Sequence, residues 1–201
     1  MVSEKEKMLS GNPYKAFSPE LENERLKARK LIHKYNQLTT DEAAKQNEIL
    51  KELLGSCGEQ FVIEPPFRCD YGYNIELGEN FYANFNLVIL DCARVSIGKN
   101  ALIGPDVGIY TAGHPVHPDL RNQEYEFAFP VTIGNSVWIG GHVVINPGVT
   151  IGNNVVIGSG SVVTRDIPSG VIAIGNPCRV LREITEEDEI YYYKQLKFDE
   201  S

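Results

Sequence analysis

Residues 131–158 read VTIGNSVWIGGHVVINPGVTIGNNVVIG, and every sixth residue is isoleucine, from Ile133 through Ile139, Ile145 and Ile151 to Ile157. A two-residue strand alternation cannot run this long without turn signals, and a helical period of 3.6 would carry the isoleucines round every side of a cylinder. Six residues per flat side of a three-sided coil meets both objections. The isoleucine then points into the prism, and Val137, Val143, Val149, Val155, Ser161 and Ile167, four positions after successive markers, fill the space near its corners. Glycine or asparagine at the second position of each hexad is expected to supply the turn, where a positive φ disfavours a residue with a Cβ.

The frame extends in both directions. It reaches Val163 downstream and Ile97, Ile103 and Ile109 upstream, then, across a two-residue slip, Leu77, Ala83 and Ile89. Ile109 and Ile133 are four whole hexads apart. Within that gap residues 115–130, PVHPDLRNQEYEFAFP, lack the marker residues, so they are expected to leave the prism as a loop directly after His114, with no position in the ladder. A long loop in a rigid stack is usually functional.

Before residue 61 the texture differs. Leu21, Leu26, Leu31, Ile32 and Tyr35 recur at steps near three to five among charges, and Ile49, Leu50, Leu53 and Leu54 follow a polar start. These patterns predict two amphipathic helices, Pro19–Gln37 and Asp41–Leu54, the second capped by Asp41 and ended by GSCG at 55–58. The expected division is a helical segment over 1–60, the β-helix over 61–181 and a helical tail over 182–201.

A formal charge of −8 and an isoelectric point near 5.1 argue against a nucleic-acid or anionic-membrane surface. MVSEKEKMLSG is too charged for the apolar part of an export signal, and no apolar run is long enough to span a bilayer, so the expected compartment is the cytoplasm. Cys57, Cys69, Cys92 and Cys178 lack zinc-site spacing and are expected to be reduced, buried small side chains.

The hexads resemble those of the left-handed parallel β-helices, an exception to right-handed crossovers. The resemblance implies a mainly β fold with an N-terminal helical segment, one protruding loop and a short C-terminal helix. FRCDYGYNI, FYANFN, YTAGHPVHP, the run at 131–152 and GNPCRV are similar to the maltose and galactoside O-acetyltransferase branch of the hexapeptide-repeat acyltransferases, as are EKEKMLSG and ERLKARKLIHKYN near the N-terminus. The resemblance implies transfer of an acetyl group from acetyl-CoA to a sugar hydroxyl of maltose, glucose or galactoside type, without a metal, in a homotrimer with sites between subunits.

By motif His114 corresponds to the general base. An alcohol is a poor nucleophile until its proton is removed, and imidazole, titrating near pH 6.5, suits that task. The acceptor pocket maps onto Asp70, Tyr82, Asn84 and Cys92. Donor contacts map onto Gly141, Ser159, Thr164 and Arg165, with Arg179 and Arg182 near the nucleotide phosphates. The galactoside branch carries an acidic residue, a serine and an aspartate where this chain has Ala16, Asp70 and Cys92, and CDYGYN favours the maltose side. His117 and His142 read better as structural residues, His142 on the outer face.

Three other readings have distinguishing signs. A non-sugar acceptor such as an antibiotic would use the same scaffold. A metal enzyme resembling the γ-class carbonic anhydrases needs three ligating histidines, and His114, His117 and His142 do not match its spacing. A non-catalytic β-helix rod would need neither a loop base nor paired arginines after the coil.

Overall fold

The computed structural model describes residues 2–197; the last four positions of the expected tail lie outside them. The hexads wind into a left-handed, three-sided parallel β-helix of about six turns. The first face stacks Phe61–Ile63, Phe81–Ala83, Leu102–Ile103, Trp138–Ile139, Val156–Ile157 and Val171–Ile174 in parallel, and Arg179–Glu183 closes it antiparallel. The second face stacks Arg68–Cys69, Val88–Leu90, Gly108–Tyr110, Val144–Ile145 and Val162–Val163. The third stacks Ile75–Leu77, Val95–Ile97, Val131–Ile133 and Thr150–Ile151.

The marker residues meet in register, Leu77 on Ile97, Ile103 on Ile139, and Ile109 on Ile145. Their side chains are buried and form the main core. Stacked aliphatic side chains remove apolar area from water on both sides, at roughly 25 cal/mol per Å².

Glycine at the second position has a different reason from the one expected. The positive φ falls two residues later, at Asn80, Asn100, Ser136 and Asn154 along one corner and at Asn86, Asp106 and His142 along another. The second-position glycines permit close approach of coils. A Cβ on Gly98 would lie 2.7 Å from the carbonyl carbon of Gly134. His142 therefore makes a turn, and its exposed ring lies 3.6 Å from Asp106 on the next coil.

Every departure from the six-residue step falls at one corner, where the second face passes to the third. Eight positions separate Cys69 from Leu77 and Ile89 from Ile97, twenty-four separate Ile109 from Ile133, and only four separate Val163 from Ile167. Ile167 pairs with Ile151 and so takes a ladder position rather than a corner one.

Helix α1 (Glu4–Leu9) opens with a Ser3–Glu6 capping box, a segment too short for periodicity to show. Helices α2 (Pro19–Asn36) and α3 (Ala43–Leu53) pack under the first coil through Ala28, Ile32, Tyr35, Leu50 and Leu53. Thr39, not Asp41, caps the turn leading into α3, in a second capping box with Glu42.

The excursion after His114 is more ordered than a plain loop. It makes a one-turn helix, α4 (Pro118–Arg121), then returns as Tyr125–Ala128, which pairs with Ala112–Gly113 and with Tyr14–Lys15. Ala128 is buried with Met8, Tyr14, Leu21 and Cys92 in a second core, so the returning strand does contribute to packing. The tail is helical only at α5 (Glu187–Ile190); Arg179–Glu183 is strand, and Tyr191–Tyr193 pairs with Leu196–Lys197.

Candidate active site

The irregular corner gathers Asp70, Asp91, Cys92 and His114 on successive coils. His114 follows the strand Ala112–Gly113 and is half-exposed. Its Nδ1 lies 3.4 Å from the Tyr125 carbonyl oxygen and its Nε2 3.8 Å from Glu126 Oε1. The other Glu126 oxygen accepts a 2.7 Å hydrogen bond from the Tyr14 hydroxyl, whose ring is fully buried. Burial pushes the Tyr14 phenol far above its ordinary value, which keeps it a donor to Glu126. The returning strand thus sets a carboxylate beside the imidazole and a buried phenol holds that carboxylate.

Asp70 sits one coil below Cys92, whose thiol donates to Asp70 Oδ2 at 3.6 Å. Burial raises the Asp70 carboxyl, while the Cys92 bond and the charges of Arg25 and Arg29 oppose the rise. Arg25 is anchored by donating to the Tyr71 hydroxyl at 2.7 Å and the Ala16 carbonyl at 2.6 Å.

Beside Cys92, one coil above Asp70, lies Asp91, fully buried, whose carboxylate accepts from the backbone N–H groups of Asp70, Tyr71 and Gly72 at 2.9, 2.8 and 2.7 Å. Burial pushes its carboxyl up to about 7 against the pull of the Tyr71 and Gly72 bonds. Gly72 has φ +83°, and a Cβ there would meet the Leu53 carbonyl oxygen at 2.5 Å. The turn carrying Asp70 is therefore clamped from two sides.

The remaining expected residues lie elsewhere. Tyr82, Asn84, Gly141 and Ser159 line a shallow groove of about 390 Å³ on the first face, with Trp138 and Pro105. Thr164 and Arg165 are exposed at the irregular corner of the last coils. Arg179 donates to the Cys178 carbonyl at 2.7 Å, and Arg182 is engaged with both Asp188 oxygens at 2.7 and 2.6 Å, so the two arginines do not stand free as a pair. The Asp188 carboxyl is held far below its ordinary value by Arg182. Within one chain, then, the structure brings His114, Asp70 and Cys92 to one corner and Tyr82, Asn84, Gly141 and Ser159 to another.

Sequence reasoning missed Glu126, Tyr14, Asp91 and Trp138. Glu126 and Tyr14 are 112 positions apart, and no spacing signals their contact. Asp91 had a signal, since it stands inside the two-residue slip. Among the described residues no three His, Cys, Asp or Glu side chains are grouped to hold a metal ion, and no helix is long and apolar enough to cross a membrane.

Residues 7–58 match the maltose acetyltransferase hexapeptide capping motif and residues 130–165 the bacterial transferase hexapeptide of six repeats. A putative acetyltransferase of Saccharomyces cerevisiae is 55% identical over 91% of this chain and 94% of its own. Galactoside O-acetyltransferase of Escherichia coli is 48% identical over 98% and 97%. The structure of a galactoside acetyltransferase in complex with coenzyme A superposes with a TM-score of 0.96 at 47% identity, covering 99% of this chain and 100% of that one. With relatives this similar along nearly its whole length, the chain belongs to the maltose and galactoside O-acetyltransferase branch of the hexapeptide-repeat acyltransferases.

Proposed function

We propose that the protein moves the acetyl group of acetyl-CoA to a hydroxyl of a maltose-, glucose- or galactoside-type sugar, with His114 as general base. The observation that carries this reading is the His114–Glu126–Tyr14 arrangement at the corner that also holds Asp70. A proton on Nδ1 directed at the Tyr125 carbonyl leaves Nε2 to accept the sugar hydroxyl proton. The sugar oxygen attacks the thioester carbon, the C–S bond breaks, and the imidazolium returns the proton to the departing thiolate. Glu126, 3.8 Å from Nε2, stabilises the imidazolium in between. Asp70 and Cys92 face the acceptor.

The groove with Gly141 and Ser159 is read as the seat of the pantetheine arm, with Thr164, Arg165, Arg179 and Arg182 serving the rest of CoA; a phosphate there competes with Asp188 for Arg182. The coenzyme A complex of the similar galactoside acetyltransferase supports this. Tyr82 and Asn84 complete the acceptor site from a neighbouring subunit in a homotrimer. The outward residues of the faces support such an assembly. Val62, Leu102, Trp138 and Ile174 make the first face apolar and exposed, and Val88, Leu90, Val144 and Val162 make the second apolar and half-buried. The third presents Glu76, Ser96, Thr132 and Thr150 to solvent. Packing the first face of one prism on the second face of the next closes a ring and leaves the polar face outside. The cytoplasm, where acetyl-CoA is available and four unpaired cysteines stay reduced, is the compartment that fits.

An acceptor screen with acetyl-CoA and a free-thiol readout tests the reaction. Saturable thiol release with maltose, glucose or a galactoside is expected. Release no faster than the sugar-free blank for every sugar would reject a sugar acceptor.

Asp91 acts through Asp70 as a positioning residue. Asp91→Asn turns an amide N–H₂ or a weaker acceptor toward three N–H donors, so the turn relaxes. A loss of about 1.4 kcal/mol or more is a tenfold or larger rise in acceptor KM. The acetyl-CoA KM should stay within twofold, and equal changes in both would show a loss of general integrity instead.

A further inference from the structure

A cleft of about 540 Å³ opens beside Asp70, between α2 and the outer side of the second face. Its wall includes Arg29, His33 and Arg68 as well as Asp70. Arg25, Arg94, Arg121, Arg179 and Arg182 each donate to a carboxylate, hydroxyl or carbonyl oxygen. Among the described residues the side chains of Arg29, Arg68 and Arg165 have no hydrogen-bond or ion-pair partner, and of the three only Arg29 and Arg68 share a cleft; Arg29 acts through its charge on Asp70. The chain is acidic overall, so two unengaged guanidinium groups and an imidazole on one concave wall stand out against its average charge. A planar guanidinium fork matches the oxygens of a phosphate or carboxylate.

We infer that this cleft is an anion subsite, and that the acceptor it serves is a sugar bearing a phosphate or carboxylate next to the ring that is acetylated. The inference rests on the reading of the Asp70 corner as the acceptor site. Asp70 accepts from ring hydroxyls at the inner end of the cleft, and Arg29 and Arg68 take the anion at the outer end. The volume admits a monosaccharide with its anionic substituent. The site is distinct from the arginines after the coil, which belong to the last turn of the prism, whereas Arg68 belongs to its first turns. A neutral glycoside reaches the same His114 but leaves the cations unused, so specificity for charge resides in Arg29 and Arg68 while chemistry does not.

The test compares glucose 1-phosphate with methyl glucoside as acceptors, for the wild type and for Arg29→Gln/Arg68→Gln. A wild-type kcat/KM at least tenfold higher for the phosphate, falling as salt is raised, is expected. The double variant should lose that preference, its kcat/KM values for the two acceptors converging, while its acetyl-CoA KM stays within twofold. Equal use of both acceptors by the wild type, or a preference that survives in the double variant, would overturn the proposal. So would a double variant that falls to monomers in sedimentation, because the arginines would then serve a neighbouring subunit's carboxylates. If neither sugar is acetylated, the acceptor reading itself fails, and calorimetry with glucose 1-phosphate still decides the subsite. Binding by the wild type that is abolished in the double variant supports it, and absence of binding to the wild type refutes it.

Discussion

His114→Ala is expected to lower kcat by roughly 10²-fold or more, the scale of lost general-base help, with an acetyl-CoA KM close to wild type. The reason is positional. The imidazole is half-exposed and contributes nothing to either buried core, so its removal leaves the isoleucine ladder and the Tyr14–Ala128 packing as they were. Thermal stability should therefore be unchanged within a few degrees. Glu126→Gln, which keeps the shape and the Tyr14 partner but removes the charge beside the imidazolium, should give a smaller fall in kcat. A His114→Ala enzyme that keeps more than about a third of wild-type kcat, under conditions where chemistry limits turnover, rules His114 out as the base.

Mixing two inactive variants should restore activity. If His114 of one subunit works with Asn84 of the next, a ring of His114→Ala and Asn84→Ala subunits contains one interface in which both halves are intact, whatever its order. Random reassembly from equal amounts makes about three quarters of the trimers mixed, each with one working site in three, or about a quarter of wild-type activity. Each variant alone should stay near background. The measurement is acetyl transfer after joint denaturation and refolding, with separately refolded controls. Failure to recover activity in trimers shown to be mixed would mean that each subunit holds a complete site.

The ladder was legible because burial enforces it. Each inward position admits an aliphatic side chain and little else, so Ile133 to Ile157 spell out the coil. Helices α2 and α3 were legible for the same reason, since only one side of each meets the prism base. The glycines are visible in the sequence but their reason is not, because a requirement for close approach and a requirement for positive φ leave the same letter; only the backbone separates Gly98 from Asn100. His114, Asp70 and Cys92 could be named from motif and do meet at one corner. Glu126 and Tyr14 could not, since their contact depends on a strand pairing that neither segment advertises alone. The tail is helical at Glu187–Ile190, and only Arg182 and Glu183 at its start belong to the strand that closes the first face, where edge pairing overrides local preference.

The eight-position steps and the twenty-four-position excursion share a geometric property. Each adds chain length outside the stack at one edge, and the next strand re-enters in register, Val95 on Ile75 and Val131 on Val95. That edge behaves as a splice point. Segments of different length can be exchanged there without any ladder side chain changing its partner, while the groove on the other edge, fixed by an unbroken six-residue step, stays constant. In such an architecture the irregular edge can diversify by insertion while the opposite groove is inherited intact, and if the two hold acceptor and donor as proposed, chimeras that trade only residues 70–74, 91–94 or 111–130 between relatives are the natural units in which to redirect the acceptor.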